Sequence, residues 1–150
     1  MSIKSRDFST AKVVLDIKDL TVTLPDVVVQ RPVLNGISLS IRQGETVCLV
    51  GESGSGKSVT SLAVMGLLPR GVLEVTNGSI RLDGTELRSL SQAQMRNIRA
   101  NKVAMIFQEP MTALNPVMRV GDQIAEVLNN HTSLSASERR LKVIDRKSVV

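Results

Sequence analysis

Residues 46–58 read Thr46-Val47-Cys48-Leu49-Val50-Gly51-Glu52-Ser53-Gly54-Ser55-Gly56-Lys57-Ser58, and on this stretch the reading of the whole chain turns. The continuous apolar run at 47–50 has no polar alternation, which predicts a strand buried on both faces of a sheet. Residues 51–58 then complete the pattern G-x-x-x-x-G-K-[ST]. An apolar-periodic stretch from 57 to about 68 predicts a helix, which Pro69 and Gly71 end. Strand, glycine loop and helix, in that order, make a phosphate-binding loop. Gly51, Gly54 and Gly56 are expected to take positive φ, so that the N–H groups of Glu52, Ser53, Ser55 and their neighbours point inward at an anion. The helix N-terminus adds its partial positive charge. Lys57 is expected to reach the β- and γ-phosphates, and the Ser58 hydroxyl to ligate Mg²⁺, which makes a nucleoside triphosphate with Mg²⁺ the cofactor reading.

On the N-terminal side, residues 1–12 are polar and read as a lead-in. The segments VVLDI (13–17) and LTVTL (20–24) have strand patterning, and a loop between Pro25 and Pro32 separates them from VLNGISLSI (33–41). These predict short antiparallel strands. On the C-terminal side, GSIRLDG (78–84) predicts a strand bounded by glycines, and Ser91 with Gln94 forms a capping box that opens the helix QAQMRNIR. VAMIF (103–107) repeats the buried-strand pattern. After the loop QEPMTALNP, the segment VGDQIAEVLNN places Ile124, Val127 and Leu128 on one helical face, and a last helix starts near Ser135.

Composition narrows the class. The chain has 150 residues, 42% of them apolar and 22% charged, which is ordinary for a globular domain and far from the disordered extreme. Phe8 and Phe107 are its aromatics, so stacking platforms for single-stranded nucleic acid are excluded. The net charge of +5 divides into +1 for 1–75 and +4 for 76–150, with Arg81, Arg88, Arg96, Arg99 and Lys102 supplying most of the excess. No nucleic-acid motif accompanies these residues, and a solvated basic face is the reading adopted; no nucleic-acid partner is expected. The single cysteine, Cys48, fits a reducing, cytoplasmic setting. No apolar run approaches a membrane span, and MSIKSRDFST lacks the apolar core of a signal peptide.

Among nucleotide-binding classes, a GTPase would carry D-x-x-G and N-K-x-D elements; Asn101-Lys102-Val103-Ala104 lacks the carboxylate that reads guanine. A small-molecule kinase would need a lid, which Arg139 and Arg140 do not establish. The stretches LNGISLSIRQGETVCLVGESGSGKSVTSLAVMGLLP (34–69) and VAMIFQEPMTALNPVMRVGDQIAEVL (103–128) resemble the ATPase subunits of ABC transporters. The GESGSGKS and FQEPMTALNP forms resemble the branch that imports oligopeptides, dipeptides, nickel or glutathione. The resemblance covers about 13–144.

This resemblance implies an α/β P-loop core, incomplete here, with an antiparallel β-subdomain over about 13–45 and the start of a helical subdomain from about 108. It implies that Gln108 joins the two, helps hold Mg²⁺ and positions the attacking water, and that Lys57 and Gln108 are the catalytic residues of this chain. The partners it implies are transmembrane permease subunits, a second ATP-binding subunit and, indirectly, a solute-binding protein, at the cytoplasmic face of the plasma membrane. The adenine-stacking aromatic is missing from 20–34, leaving Leu24, Val28 or Val29. The signature loop, the apolar run ending in Asp-Glu and the switch histidine follow the Gln loop in the family and are not in this sequence. Leu90-Ser91-Gln92-Ala93-Gln94 reads as a helix cap, Ile144-Asp145 is not followed by Glu, and His131 reads as a solvated helix-end residue. ATP is therefore expected to bind without turnover by this chain alone. Residues 145–150 break the helical pattern, and the codons GAT CGG AAG AGC GTC GTG that spell them resemble a sequencing-library adapter, so they are expected to be a non-native tail on a longer protein. Two other readings stay open at this point, a non-catalytic nucleotide-binding remnant and a basic nucleic-acid-associated P-loop protein.

Overall fold

The computed structural model describes residues 8–25, 32–99, 101–108 and 114–147, which fall into two compact bodies, 1–95 and 96–150. The first body is built on a four-stranded antiparallel sheet of order β2-β1-β3-β4 with β1 Val13–Thr23, β2 Leu34–Arg42, β3 Glu74–Leu82 and β4 Thr85–Glu86. The two expected segments at 13–17 and 20–24 are one 11-residue strand. What joins them is a bulge. Asp19 sits at φ 50, and the register shifts there against both neighbours. The extra residue brings Ile17, Leu20 and Val22 to one face, where strict alternation would put Ile17 opposite the other two. All three are buried to 1% exposure or less.

The bulge is held from both sides. The Asp19 N–H donates to Ser38 Oγ on β2 at 2.9 Å. On the β3 side Gly78 takes φ 91, and a Cβ there would stand 2.4 Å from the Lys18 carbonyl oxygen and 2.5 Å from that of Asp19. Only glycine satisfies both conditions. β3 begins at Glu74 rather than at Gly78, because Glu74, Val75 and Asn77 pair with Thr23, Val22 and Thr21. Its outer edge is blunted by side chains. The Arg88 guanidinium donates to the carbonyls of Gly78 and Val75, and Glu86 Oε1 accepts from the Ile80 N–H at 3.0 Å.

Two helices complete this body, α1 Lys57–Met65 and α2 Gln92–Ile98, the last turn of α2 crossing into the second body. Ala63, Val64 and Met65 of α1, Leu87, and Met95 of α2 are buried with the sheet residues Leu34 and Ile80. The capping box forms as read. Ser91 N–H donates to Gln94 Oε1 at 2.8 Å, and Gln94 N–H to Ser91 Oγ at 3.3 Å.

The second body holds α3 Val120–His131 and α4 Ala136–Lys147. Ser135 and Glu138 make a second capping box, with Ser135 donating to Glu138 Oε2 from its N–H at 2.8 Å and from its hydroxyl at 2.6 Å. These bonds favour the carboxylate and hold its pKa below the ordinary 4.5. The cap is thus complete above that value and is lost as pH falls through the lowered one.

Three expectations fail here. Residues 46–50 and 103–107 are not strands: apart from a bridge between Arg99 and Val103, neither run is paired among the described residues. A parallel strand satisfies its N–H and C=O groups only through neighbouring strands. Without them Val50 is 88% and Ile106 92% exposed. The helical pattern also does not break at 145, since α4 runs through Lys147.

Replacing Gly78 by Ala is expected to lower stability by about 2–4 kcal/mol, because positive φ and backbone overlap act together. Gly36→Ala, at φ 63 with nothing within 4 Å of the new Cβ, is expected to cost only about 1 kcal/mol. Urea denaturation of both variants checks the ranking; equal losses would rule out the bulge as the constraint.

Candidate functional site

The loop at 51–56 runs out of the exposed segment 46–50 into the first turn of α1. Ser55 N–H donates to the Glu52 carbonyl at 3.2 Å, closing a turn inside the loop. Gly54 takes φ 83, with no atom within 4 Å of where a Cβ would lie. Gly56 is the N-cap of α1 at φ 90 and ψ 2, a left-handed conformation. Gly51 departs from the expectation of positive φ. Its need for glycine is one of space instead: a Cβ there would stand 2.6 Å from Ser55 Oγ.

No side chain caps α1, and its first turn holds no acidic residue. The first N–H groups of a helix have no acceptor within it. The helix pins its own start otherwise: Thr60, which is buried, donates from its N–H at 2.9 Å and from its hydroxyl at 3.0 Å to the Gly56 carbonyl. The result is a helix terminus with donors turned toward a glycine loop, positive at its end and open where Gly54 lies.

Lys57 lies across this loop. Its ammonium donates to the carbonyls of Gly51 at 2.7 Å and Glu52 at 2.6 Å, and to Ser55 Oγ at 3.3 Å. An ammonium has three N–H donors, so three loop acceptors occupy it. The charge faces backbone dipoles, and among the described residues no ion pair involves it. Ser58 is exposed in the first turn of α1. Among the described residues no group of three or more His, Cys, Asp or Glu side chains gathers as a metal site. Within the loop itself, a divalent cation would thus depend on the Ser58 hydroxyl and on oxygens of the anion.

The structure brings 51–58 together and leaves Gln108 in the second body, exposed at the end of the unpaired run 103–107. Leu24 is half-buried just beyond β1, while Val28, Val29 and Glu109 lie outside the described residues. His131 ends α3, half-buried, with the Asn101 amide nitrogen 3.5 Å from its Nδ1. One part of the site escaped the sequence reading. A Cβ on Gly56 would come within 2.3 Å of Leu34 Cδ2, so the loop rests on the first residue of β2. Nothing local in the sequence signals a contact over that separation.

Residues 34–149 match the family described as ABC transporter. The chain is 48% identical over 132 residues to the probable D,D-dipeptide transport ATP-binding protein DdpD of Escherichia coli, an alignment covering 88% of this chain and 40% of that protein. It is 46% identical over 119 residues to the oligopeptide transport ATP-binding protein AppD of Bacillus subtilis, covering 79% and 36% respectively. Among solved structures, the ATP-binding cassette MJ0796, in a dimeric post-hydrolysis state bound to ADP and Pi, superposes with a TM-score of 0.70 at 26% identity, covering 87% of this chain and 54% of that one. The chain therefore spans roughly two-fifths of the length of these curated relatives, 36% of one and 40% of the other.

Gly56→Ala is expected to disrupt the site without removing any hydrogen-bond donor that contacts an anion. The new methyl meets Leu34 and the left-handed φ is strained, so α1 should shift or fray at its start. Loss of nucleotide affinity of about tenfold or more is expected in an equilibrium titration; unchanged affinity would show that the approach to Leu34 does not position the loop.

Proposed function

The chain belongs to the ABC transporter family, and from that membership we propose that residues 51–58 bind the phosphates of MgATP in the ATP-binding subunit of an importer for peptides or a related small solute. The observation that carries this reading is the uncapped start of α1 behind Gly54 and Gly56, with the Lys57 ammonium held over the same loop. The names of the relatives, dipeptide and oligopeptide transport ATP-binding proteins, support the solute class.

The chemistry assigned to each residue follows from its position. Backbone N–H groups of 53–58 donate to phosphate oxygens at the helix start. The Lys57 side chain exchanges its carbonyl acceptors for β- and γ-phosphate oxygens, replacing ion–dipole contacts by charge-assisted hydrogen bonds. Mg²⁺, when bound, neutralises polyphosphate charge and stabilises the charge that builds up during phosphoryl transfer. Ser58 is the residue that would hold it, with Gln108 as the second ligand and as the amide that orients water. Leu24 offers an aliphatic surface for the base.

In the same reading the chain is one of two ATP-binding subunits seated on permease subunits at the cytoplasmic face of the plasma membrane, with a solute-binding protein acting through those permeases. No described helix is long and apolar enough to cross a membrane. Residues 13–144 are the phosphate-loop part of the ATP-binding domain and 1–12 its lead-in. Binding without turnover is the behaviour proposed for this polypeptide on its own.

A titration of the chain with MgATP, alongside release of inorganic phosphate, tests the reading. Saturable binding that weakens about tenfold or more in Lys57→Ala, about 1.4 kcal/mol, is expected, with phosphate release at background in both. Equal binding by Lys57→Ala would defeat the assignment of the loop, and Lys57-dependent phosphate release would defeat the proposal that the chain does not turn over.

A further inference from the structure

The second body carries a cavity of about 400 Å³ lined by Arg96, Asn97, Arg99, Asn130 and His131. Every one of these side chains brings hydrogen-bond donors, and the guanidinium groups bring nothing else. The described carboxylates of this body, Asp122, Glu126, Glu138 and Asp145, are all absent from the lining. Asn101 ties the rim together. Its amide donates to the Asn97 carbonyl at 3.0 Å and lies 3.5 Å from His131 Nδ1. An amide nitrogen only donates, so the contact places this donor beside the imidazole.

A purely structural role accounts for part of this. Arg96 stands in the last turn of α2 and His131 ends α3, where cations complement the partial negative charge of a helix C-terminus. That role does not require Arg99, Asn97 and Asn130 to close around the same space, nor the exclusion of every described carboxylate from it. Two planar guanidinium forks on one cavity match the paired oxygens of a tetrahedral oxyanion, and the neutral amides add donors without adding charge. We propose that this cavity is a second anion site, separate from the phosphate loop, and that it takes a phosphate group, either free as inorganic phosphate or a phosphomonoester, or carried by an anionic lipid. A bound phosphate bridges the segment 96–99 to the end of α3.

The test uses the full chain carrying Lys57→Ala, so that the loop ammonium is absent throughout and the outcome is independent of the assignment of 51–58. Inorganic phosphate is titrated against chloride at constant ionic strength, which removes simple screening, and the Asn97 and Asn130 side-chain amides and the His131 ring are followed by NMR. Saturable shifts at these groups are expected, weakened about tenfold or more by the double variant Arg96→Gln/Arg99→Gln and partly kept by Arg96→Lys/Arg99→Lys, which retains the charge but not the fork. In a second arm the same chains are sedimented with vesicles of phosphatidylglycerol or of phosphatidylcholine. Saturable shifts without retention on vesicles support the site with free phosphate as its source. Retention on phosphatidylglycerol alone, lost in the glutamine double variant, supports it with a lipid headgroup as the source. Absence of both responses overturns the proposal, and so does a response that the glutamine double variant leaves unchanged.

Discussion

Gly56 ends the loop in a left-handed conformation, at a point where any Cβ would stand 2.3 Å from Leu34 Cδ2. This approach sets where α1 begins. Leu34 is the first residue of β2, β2 is hydrogen-bonded to β1, and β1 is flanked by β3 on its other side. The direction of the helix N-terminus is thus inherited from the antiparallel sheet. Interiors are too densely packed to absorb a methyl group at such a contact without a shift. The bulge at Asp19 and Gly78 serves the same chain of dependence, because it decides which face of β1 carries Ile17, Leu20 and Val22 into the core.

The electrostatics of the loop follow from that placement. Lys57 is satisfied in this state by two carbonyls and a hydroxyl, which are dipoles and carry no net charge. A polyphosphate offers full negative charge to the same ammonium and to the uncapped N–H groups beside it, and charge-assisted bonds are about twice as strong as neutral ones. The loop needs little rearrangement to make this exchange, since its turns are already fixed by glycine conformations and by the Ser55 to Glu52 bond. Preorganisation of this kind lowers the ordering cost of binding.

Features that depend on neighbours in sequence were legible. The pattern from Gly51 to Ser58 states its own chemistry because each position has a local steric or donor requirement. The cap Ser91–Gln94 was readable for the same reason, three residues being the reach of the bonds that make it, and Ser135–Glu138, of which only the helix start was read, has the same spacing. Features that depend on distant partners were not. The runs 46–50 and 103–107 have strand composition, but composition encodes a demand for burial and not the identity of the strand that meets it. The bulge is invisible in the pattern of β1 without β3 opposite. Gly51 looked like its companions, although its constraint is the Ser55 side chain rather than φ. At the C-terminus, Asp145, Arg146 and Lys147 end an apolar pattern without ending a helix, since Arg and Lys are good helix formers.

The central claim is that the phosphate ligand is the backbone at the start of α1, held ready by Gly54 and Gly56 before any nucleotide arrives. Site-resolved hydrogen exchange of the amides of Ser55, Gly56, Lys57 and Ser58, with and without MgADP, tests it most directly. Exchange at Gly56, Lys57 and Ser58 is expected to slow by about tenfold or more on saturation, as uncapped donors gain acceptors, while Ser55, whose N–H already donates to the Glu52 carbonyl, slows less and the Ser91 and Gln94 amides keep their rates. Saturating nucleotide that leaves all four amides exchanging as before would contradict the account, because binding would then rest on groups other than this loop.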